Sequence, residues 1–156
     1  MTETDIKFLC EAFTAAQRAR EHGNHPFGAI LVDANGEKLL EAENTVITDR
    51  DCVGHAETNL LREASRRFDE SILAKCVVYA SAEPCAMCAG AIYWSGVSRL
   101  VYGLSKKRLS EIQNQQIYWQ FFLPCREVFA RGQREIAVEG PMLEDEAEVV
   151  HKDYWQ

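Results

Sequence analysis

The sequence predicts an α/β fold, and three observations carry that prediction. Short apolar runs at residues 27–32, 76–81 and 99–103 alternate with stretches of helical periodicity at residues 4–21, 56–68 and 85–95. The strand–helix–strand order through residues 76–103 implies parallel neighbours, because parallel strands need such a crossover. Asp33-Ala34-Asn35-Gly36 follows the first run with Asn-Gly at its tip, which marks a hairpin returning over residues 38–46.

Each element has a local reason. In the first helix Ile6, Leu9, Cys10, Phe13 and Ala16 fall on one stripe, Thr4 or Asp5 suits the cap and Gly23 the stop. Cys10 on that stripe reads as core. In the second helix Leu60, Leu61, Ala64 and Phe68 face inward and Arg62, Arg66 and Arg67 outward, a pattern that reads as a solvated face. Pro84 fits the entry to the third helix, where its missing N–H is no loss, and Gly96 can end it. Residues 106–116 are polar, and residues 117–123 form an apolar cluster read first as core, with a pocket wall or a subunit contact as the other readings. A short helix from Pro124 to Arg131 and a fifth strand over residues 135–138 follow. Residues 141–156 read as an acidic helical tail, and Tyr154 and Trp155 at its end are costly to leave in water, so the tail is expected to dock.

A chain of 156 residues is expected to be one domain, 1–156, large enough for a hydrophobic core. A formal net charge of -7 argues against a broad phosphate-binding surface, although Arg62, Arg66, Arg67, Lys106, Lys107 and Arg108 cluster locally. Six cysteines with no leader and no long apolar span suggest a reducing, cytoplasmic location and no membrane.

The chemistry concentrates in two stretches. Cys85 and Cys88 stand three apart at the start of a helix, which places both sulfurs on one face. A helix N-terminus favours the thiolate, the metal-binding form of cysteine. Thirty residues upstream lies His55-Ala56-Glu57. His55, Cys85 and Cys88 would supply three ligands to one Zn2+ per subunit and leave a fourth position open, the arrangement of a catalytic zinc. Glu57 is idle as a ligand and well placed to move protons, from water to a ring nitrogen and on to a departing amine. Two rival readings stay open. The Cys-x-x-Cys could be a redox pair of a thioredoxin-like fold. Alternatively Cys52, three before His55, could close a structural Cys52–His55–Cys85–Cys88 zinc site and make the chain a non-catalytic module. Cys76 and Cys125 read as packing. His22, His25 and His151 lack ligand spacing and read as surface or satisfied histidines, with His25 of added interest before Pro26-Phe27.

His-x-Glu followed by Pro-Cys-x-x-Cys is the signature of the zinc deaminases that act on nucleobases. From Pro26-Phe27-Gly28-Ala29 through Asn44, His55-Ala56-Glu57 and Glu83-Pro84-Cys85-Ala86-Met87-Cys88-Ala89-Gly90-Ala91, the chain resembles the cytidine/deoxycytidylate deaminase superfamily. That resemblance implies a three-layer α/β/α fold with a mixed five-stranded sheet, one zinc and a homodimer. Within the superfamily the chain is most similar to bacterial guanine deaminases, which implies a small-molecule, nucleobase-like substrate. It also implies purine binding by Asn44, a pocket lined by Phe27 and Trp94, and a tail, Tyr154-Trp155, that closes the site. The main chain near Ala56 and Cys85, together with Glu83, is expected to help position the substrate.

One departure stands out. Where guanine deaminases of this type carry an acidic residue, the matching stretch reads Glu111-Ile112-Gln113-Asn114-Gln115-Gln116, and Glu111 could stand in from a shifted register. Guanine is therefore the first expectation, with cytosine, other purines and amino-triazines next. Transfer-RNA adenosine deaminase shares the Cys-x-Met-Cys-Ala-Gly-Ala run and is the enzyme alternative; the acidic charge and aromatic tail favour a free base.

Overall fold

A computed structural model of the chain describes residues 1–156. Its elements run α1 (Glu3–Glu21), β1 (Gly28–Val32), β2 (Lys38–Glu43), α2 (Ala56–Arg67), α3 (Glu70–Leu73), β3 (Val77–Ala82), α4 (Ala86–Ser95), β4 (Arg99–Leu104), α5 (Lys106–Ile112), α6 (Cys125–Ala130), β5 (Ala137–Glu139) and α7 (Glu144–Glu148), with a 3-10 turn over Val149–His151. The five strands form one sheet in the order β2-β1-β3-β4-β5. β1 pairs antiparallel with both β2 and β3, whereas β3, β4 and β5 are parallel, so the sheet is mixed as expected.

Alternation along the strands divides the core in two. Ile30, Val32, Tyr79 and Val101 point toward α1, where they meet Phe8, Leu9 and Ala12. Leu31, Val78, Ala80, Leu100 and Tyr102 point the other way, onto Leu60, Leu61 and Ala64 of α2, Ala89 and Ile92 of α4, and Phe129 of α6. Helices cover both faces, which makes the three layers. The parallel β3–α4–β4 unit places the start of α4 at the end of β3, beside the start of α2.

Some expectations shift. α1 begins a residue earlier than predicted, with Thr2 as its cap in a reciprocal capping box with Asp5. Its buried face runs through Phe8, Leu9, Ala12, Ala15, Ala16 and Ala19, while Cys10 and Ile6 are exposed. The reason is close approach: a Cβ on Gly28 would lie 2.5 Å from the Ala12 carbonyl oxygen, so α1 turns its alanines to β1. The segment 117–123 is not core, since Ile117, Trp119, Phe121 and Phe122 are all exposed. The expected long helical tail is two short turns, α7 and the 3-10 turn. α3 and α5, too short for a clear periodicity, escape the sequence reading.

The N-terminus of α1 is tied across the sheet by charge. Asp5, 1% exposed, accepts from Arg99 and from the Tyr79 hydroxyl, and Arg99 also pairs with Glu139 of β5. Burial works to raise the Asp5 carboxyl, yet Arg99 and the N–H and O–H donors around it hold it well below the usual carboxylate range.

Candidate active site

The site lies where the N-termini of α2 and α4 meet. His55 is the cap residue of α2 and Cys85 that of α4, and Glu57 and Cys88 follow in the first turns. The ligand atoms of His55, Cys85 and Cys88 all lie within 4.8 Å of one another. His55 presents Nδ1 to both sulfurs, 3.6 Å from Cys85 Sγ and 3.4 Å from Cys88 Sγ. Ligands about 2.0–2.3 Å from a tetrahedral zinc stand roughly 3.5 Å apart, so the spacing fits the ion. Cys52 does not join this cluster, and its thiol is exposed. The four-ligand closed site is thereby without its fourth member.

The sulfurs are electrostatically unequal. Cys85 is lowered to about 4, first by the hydrogen bond from Cys88 and then, against its burial, by His55. Cys88 is pushed up by giving that hydrogen bond and by burial. His55 is raised, chiefly by its contact with Cys85. Two sulfurs and an imidazole nitrogen face one another here, a donor set suited to a soft or borderline divalent cation. Glu57, 5% exposed, has its carboxyl raised by burial, only partly offset by His55.

A cavity of ≈ 670 Å³ opens over these groups, a usual size for a small-molecule site. Its floor includes His55, Glu57 and Cys85, and one wall Phe27 and Asn44. Asn44 is 2% exposed; its Oδ1 takes the Val46 N–H at 3.0 Å, which turns its Nδ2 donor away from the backbone. The opposite wall comes from α5 and the segment after it, with Lys106, Gln113, Tyr118, Trp119 and Gln120. Gln120 donates to Gln113 Oε1 at 3.1 Å.

The tail docks on its own chain. Arg20 donates to the Val150 and Lys152 carbonyls at 2.8 and 2.6 Å. Trp155 lines the cavity and stacks on His25 with centroids 5.4 Å apart, and its Nε1 donates to His151 Nδ1 at 2.9 Å. Tyr154 lies one layer out and bonds His25 Nδ1 through its hydroxyl at 2.8 Å. His151 is fully buried and lowered to about 4, first by burial and then by the Arg20 charge.

Two side chains of the sequence reading, those of Trp94 and Glu111, stand outside the cavity, and for Ala56 the expectation rests on its main chain alone. Trp94 lies seven residues, about two helical turns, beyond the cavity-lining Met87 and is 82% exposed. Glu111 is exposed on the outer side of α5, where Gln113 reaches the cavity in its place. The Ala56 side chain is buried in the core. Glu83 borders the cavity, but its carboxylate is engaged elsewhere: Oε1 takes the Lys106 N–H at 3.2 Å and Oε2 the Cys125 N–H at 3.0 Å. Lys106, Gln113 and Gln120 sit in no motif, and only the fold brings them to the cavity; His25, noted before Pro26-Phe27, lines it too, whereas His151 is buried behind Trp155.

The Cytidine and deoxycytidylate deaminase zinc-binding region matches residues 2–104. The chain belongs to this deaminase family. It is a zinc-binding deaminase, and His55, Cys85 and Cys88 form its candidate zinc site. The chain is 39% identical to a probable cytosine deaminase of Schizosaccharomyces pombe, over 99% of this chain and 94% of that one. It is 37% identical to the tRNA-specific adenosine deaminase of Bacillus subtilis, over 66% of this chain and 63% of that one. The solved guanine deaminase of Bacillus subtilis superposes with a TM-score of 0.64 at 30% identity, covering 93% of this chain and 88% of that one. The mixed five-stranded sheet with its helices is thus the fold of this deaminase family.

Proposed function

We propose that this deaminase hydrolyses the exocyclic amine of a free nucleobase, with cytosine ahead of guanine, and releases ammonia. The observation that carries the reading is the aromatic cavity over the metal ligands, lined by Phe27, Tyr118, Trp119 and Trp155, with Lys106 as its one lysine or arginine. Zinc held by His55, Cys85 and Cys88 supplies Lewis acidity and an open coordination position. Glu57 takes a proton from the attacking water, gives one to the ring nitrogen beside the amino-bearing carbon, and delivers one to the departing amine. Water and the amino-ring thereby become the oxo-ring and ammonia. The Asn44 amide donor meets a ring carbonyl, and Phe27 and Trp155 flank the ring; base–aromatic stacking is worth about 1–3 kcal/mol per base.

Two features move cytosine ahead of guanine. Apart from Glu57, the cavity offers no carboxylate with a free oxygen, because Glu83 is engaged and Glu111 faces away. A relative matched over 99% of this chain is a probable cytosine deaminase. Transfer RNA fits less well. Lys106 is the one lysine or arginine at the cavity; Arg108, two residues on, is tied to Asp145 and Glu148, and Arg67 of α2 to Glu63.

The same reading treats residues 1–156 as one cytoplasmic domain with 141–156 as its docking tail, working as a homodimer. No helix is long and apolar enough to cross a membrane. Trp94 and Met87 on α4 and the exposed apolar segment 117–122 are the surfaces a second copy would cover. The test is ammonia release by zinc-loaded protein from cytosine, guanine, adenine, their nucleosides, amino-triazines and an anticodon stem-loop RNA. Turnover of a free base is expected; turnover of the RNA alone would assign the chain to RNA editing.

A further inference from the structure

One wall of the cavity is a single excursion of chain, residues 106–125, which leaves the sheet after β4 and rejoins the core at α6. It supplies seven of the seventeen cavity-lining residues, Gln113, Tyr118 and Trp119 among them. Much of it is irregular, and Ile117, Trp119, Phe121 and Phe122 bury too little to fix their own positions. Something else must hold its shape.

Both ends of this excursion meet one side chain. Glu83 Oε1 accepts the N–H of Lys106, the first residue of α5, at 3.2 Å. Its Oε2 accepts the N–H of Cys125, the first residue of α6, at 3.0 Å. α5 has other caps, since Ser105 Oγ takes the Arg108 N–H and Glu144 takes the Ser105 N–H. α6 does not: its cap residue Pro124 offers no side-chain acceptor, and Glu83 alone serves its first turn. Two unpaired helix-start N–H groups make a favourable seat for a carboxylate. Glu83 is itself fixed by its own N–H to the Leu104 carbonyl at 2.8 Å, and it stands two residues before the metal ligand Cys85.

We propose that Glu83 is a positioning residue, whose carboxylate staples both ends of the 106–125 wall to the strand end that delivers Cys85 and so sets the width of the base pocket. The two functional halves of the site, metal floor and ring-reading wall, are joined through this one side chain. The kinetic consequence rests on the free-base reading, whereas the structural consequence does not.

The test uses the zinc-loaded full chain with Glu83→Ala and Glu83→Gln, read by zinc content, steady-state kinetics on whichever of cytosine or guanine the parent turns over, and residue-resolved amide exchange. Glu83→Ala should keep one zinc and most of kcat while KM rises about ten-fold or more, the effect of losing charge-assisted hydrogen bonds that hold only the wall. The Lys106 and Cys125 amides should exchange faster, and those of β3 should not. Glu83→Gln retains one acceptor oxygen and turns an NH2 toward the other amide, so one of the two amides should stay protected and KM should fall between. This graded pattern separates positioning from general loss of fold, which would lower zinc content and speed exchange everywhere. If Glu83→Ala does not fold, the single-amide result in Glu83→Gln decides. Parental exchange at both amides with unchanged KM would overturn the proposal, as would a loss of kcat at constant KM. If the parent turns over no base, the free-base reading fails and the exchange data still judge the staple.

Discussion

Glu57 sits at 5% exposure in the first turn of α2, two residues after a metal ligand and beneath a cavity that can hold a ring. Burial makes its neutral form accessible, which suits a group that must accept and return a proton within one turnover. Glu57→Gln should therefore keep one zinc per chain and lower kcat by about 10²–10⁴-fold, checked by metal analysis beside ammonia release. Cys52→Ser should also keep its zinc, because the Cys52 sulfur lies apart from the His55–Cys85–Cys88 cluster. Loss of metal in that variant would restore the closed-site reading. At this scale the sequence was most informative. Ligand chemistry needs fixed residue types at fixed spacing on helix starts, and His55, Glu57, Cys85 and Cys88 announce themselves that way. Lys106, Gln113 and Gln120 obey no such spacing rule, since a pocket wall accepts many polar residues, and Trp94 misled because it lies two turns along α4 from the cavity-lining Met87, beyond the reach of the cavity.

Among the elements, α1 and the tail carry the clearest dependence on single contacts. Asp5 receives Arg99, the Tyr79 hydroxyl and the Thr2 N–H while almost fully buried, so Asp5→Asn leaves Arg99 short of a partner. A loss of about 3 kcal/mol is expected, seen as a drop in Tm of several degrees. The tail responds to pH through His151. Its folded value, about 4, lies below the ordinary 6.5, so the unfolded chain binds the proton more readily. The stability it confers is complete above pH 6.5, falls as pH drops toward 4, and is bounded by about 3 kcal/mol. Unfolding followed from pH 7 to 4 should show this slope, and His151→Leu should flatten it. The Asp5 contribution declines only below pH 4, which keeps the two separable. The strands were legible as short apolar runs, the hairpin from Asn35-Gly36, α2 from its amphipathic period, and α4, apolar all round, from Pro84, its paired cysteines and Gly96. The phase of α1 was not, because its contact face is set by the close approach of Gly28, and alanines carry little hydrophobic signal.

Across the whole molecule, an acidic chain carries a cavity with few charges and an exposed apolar surface at Trp94 and residues 117–122. Under the dimer reading, Trp94→Lys should shift the sedimentation profile of micromolar protein from dimer toward monomer. A single monomer peak for the parent would contradict it. The family and its zinc chemistry follow from a matched domain and a ligand cluster; the choice of ring falls to the wall, residues 106–125, which lies beyond the matched region 2–104. The measurement that bears most directly on the central claim is ammonia release from cytosine and guanine by the zinc-loaded chain at about 50 and 200 mM salt, with the anticodon stem-loop RNA alongside. Turnover of a free base at a rate nearly independent of salt is expected, and none of the RNA. Turnover confined to the RNA, falling steeply with salt, would contradict it.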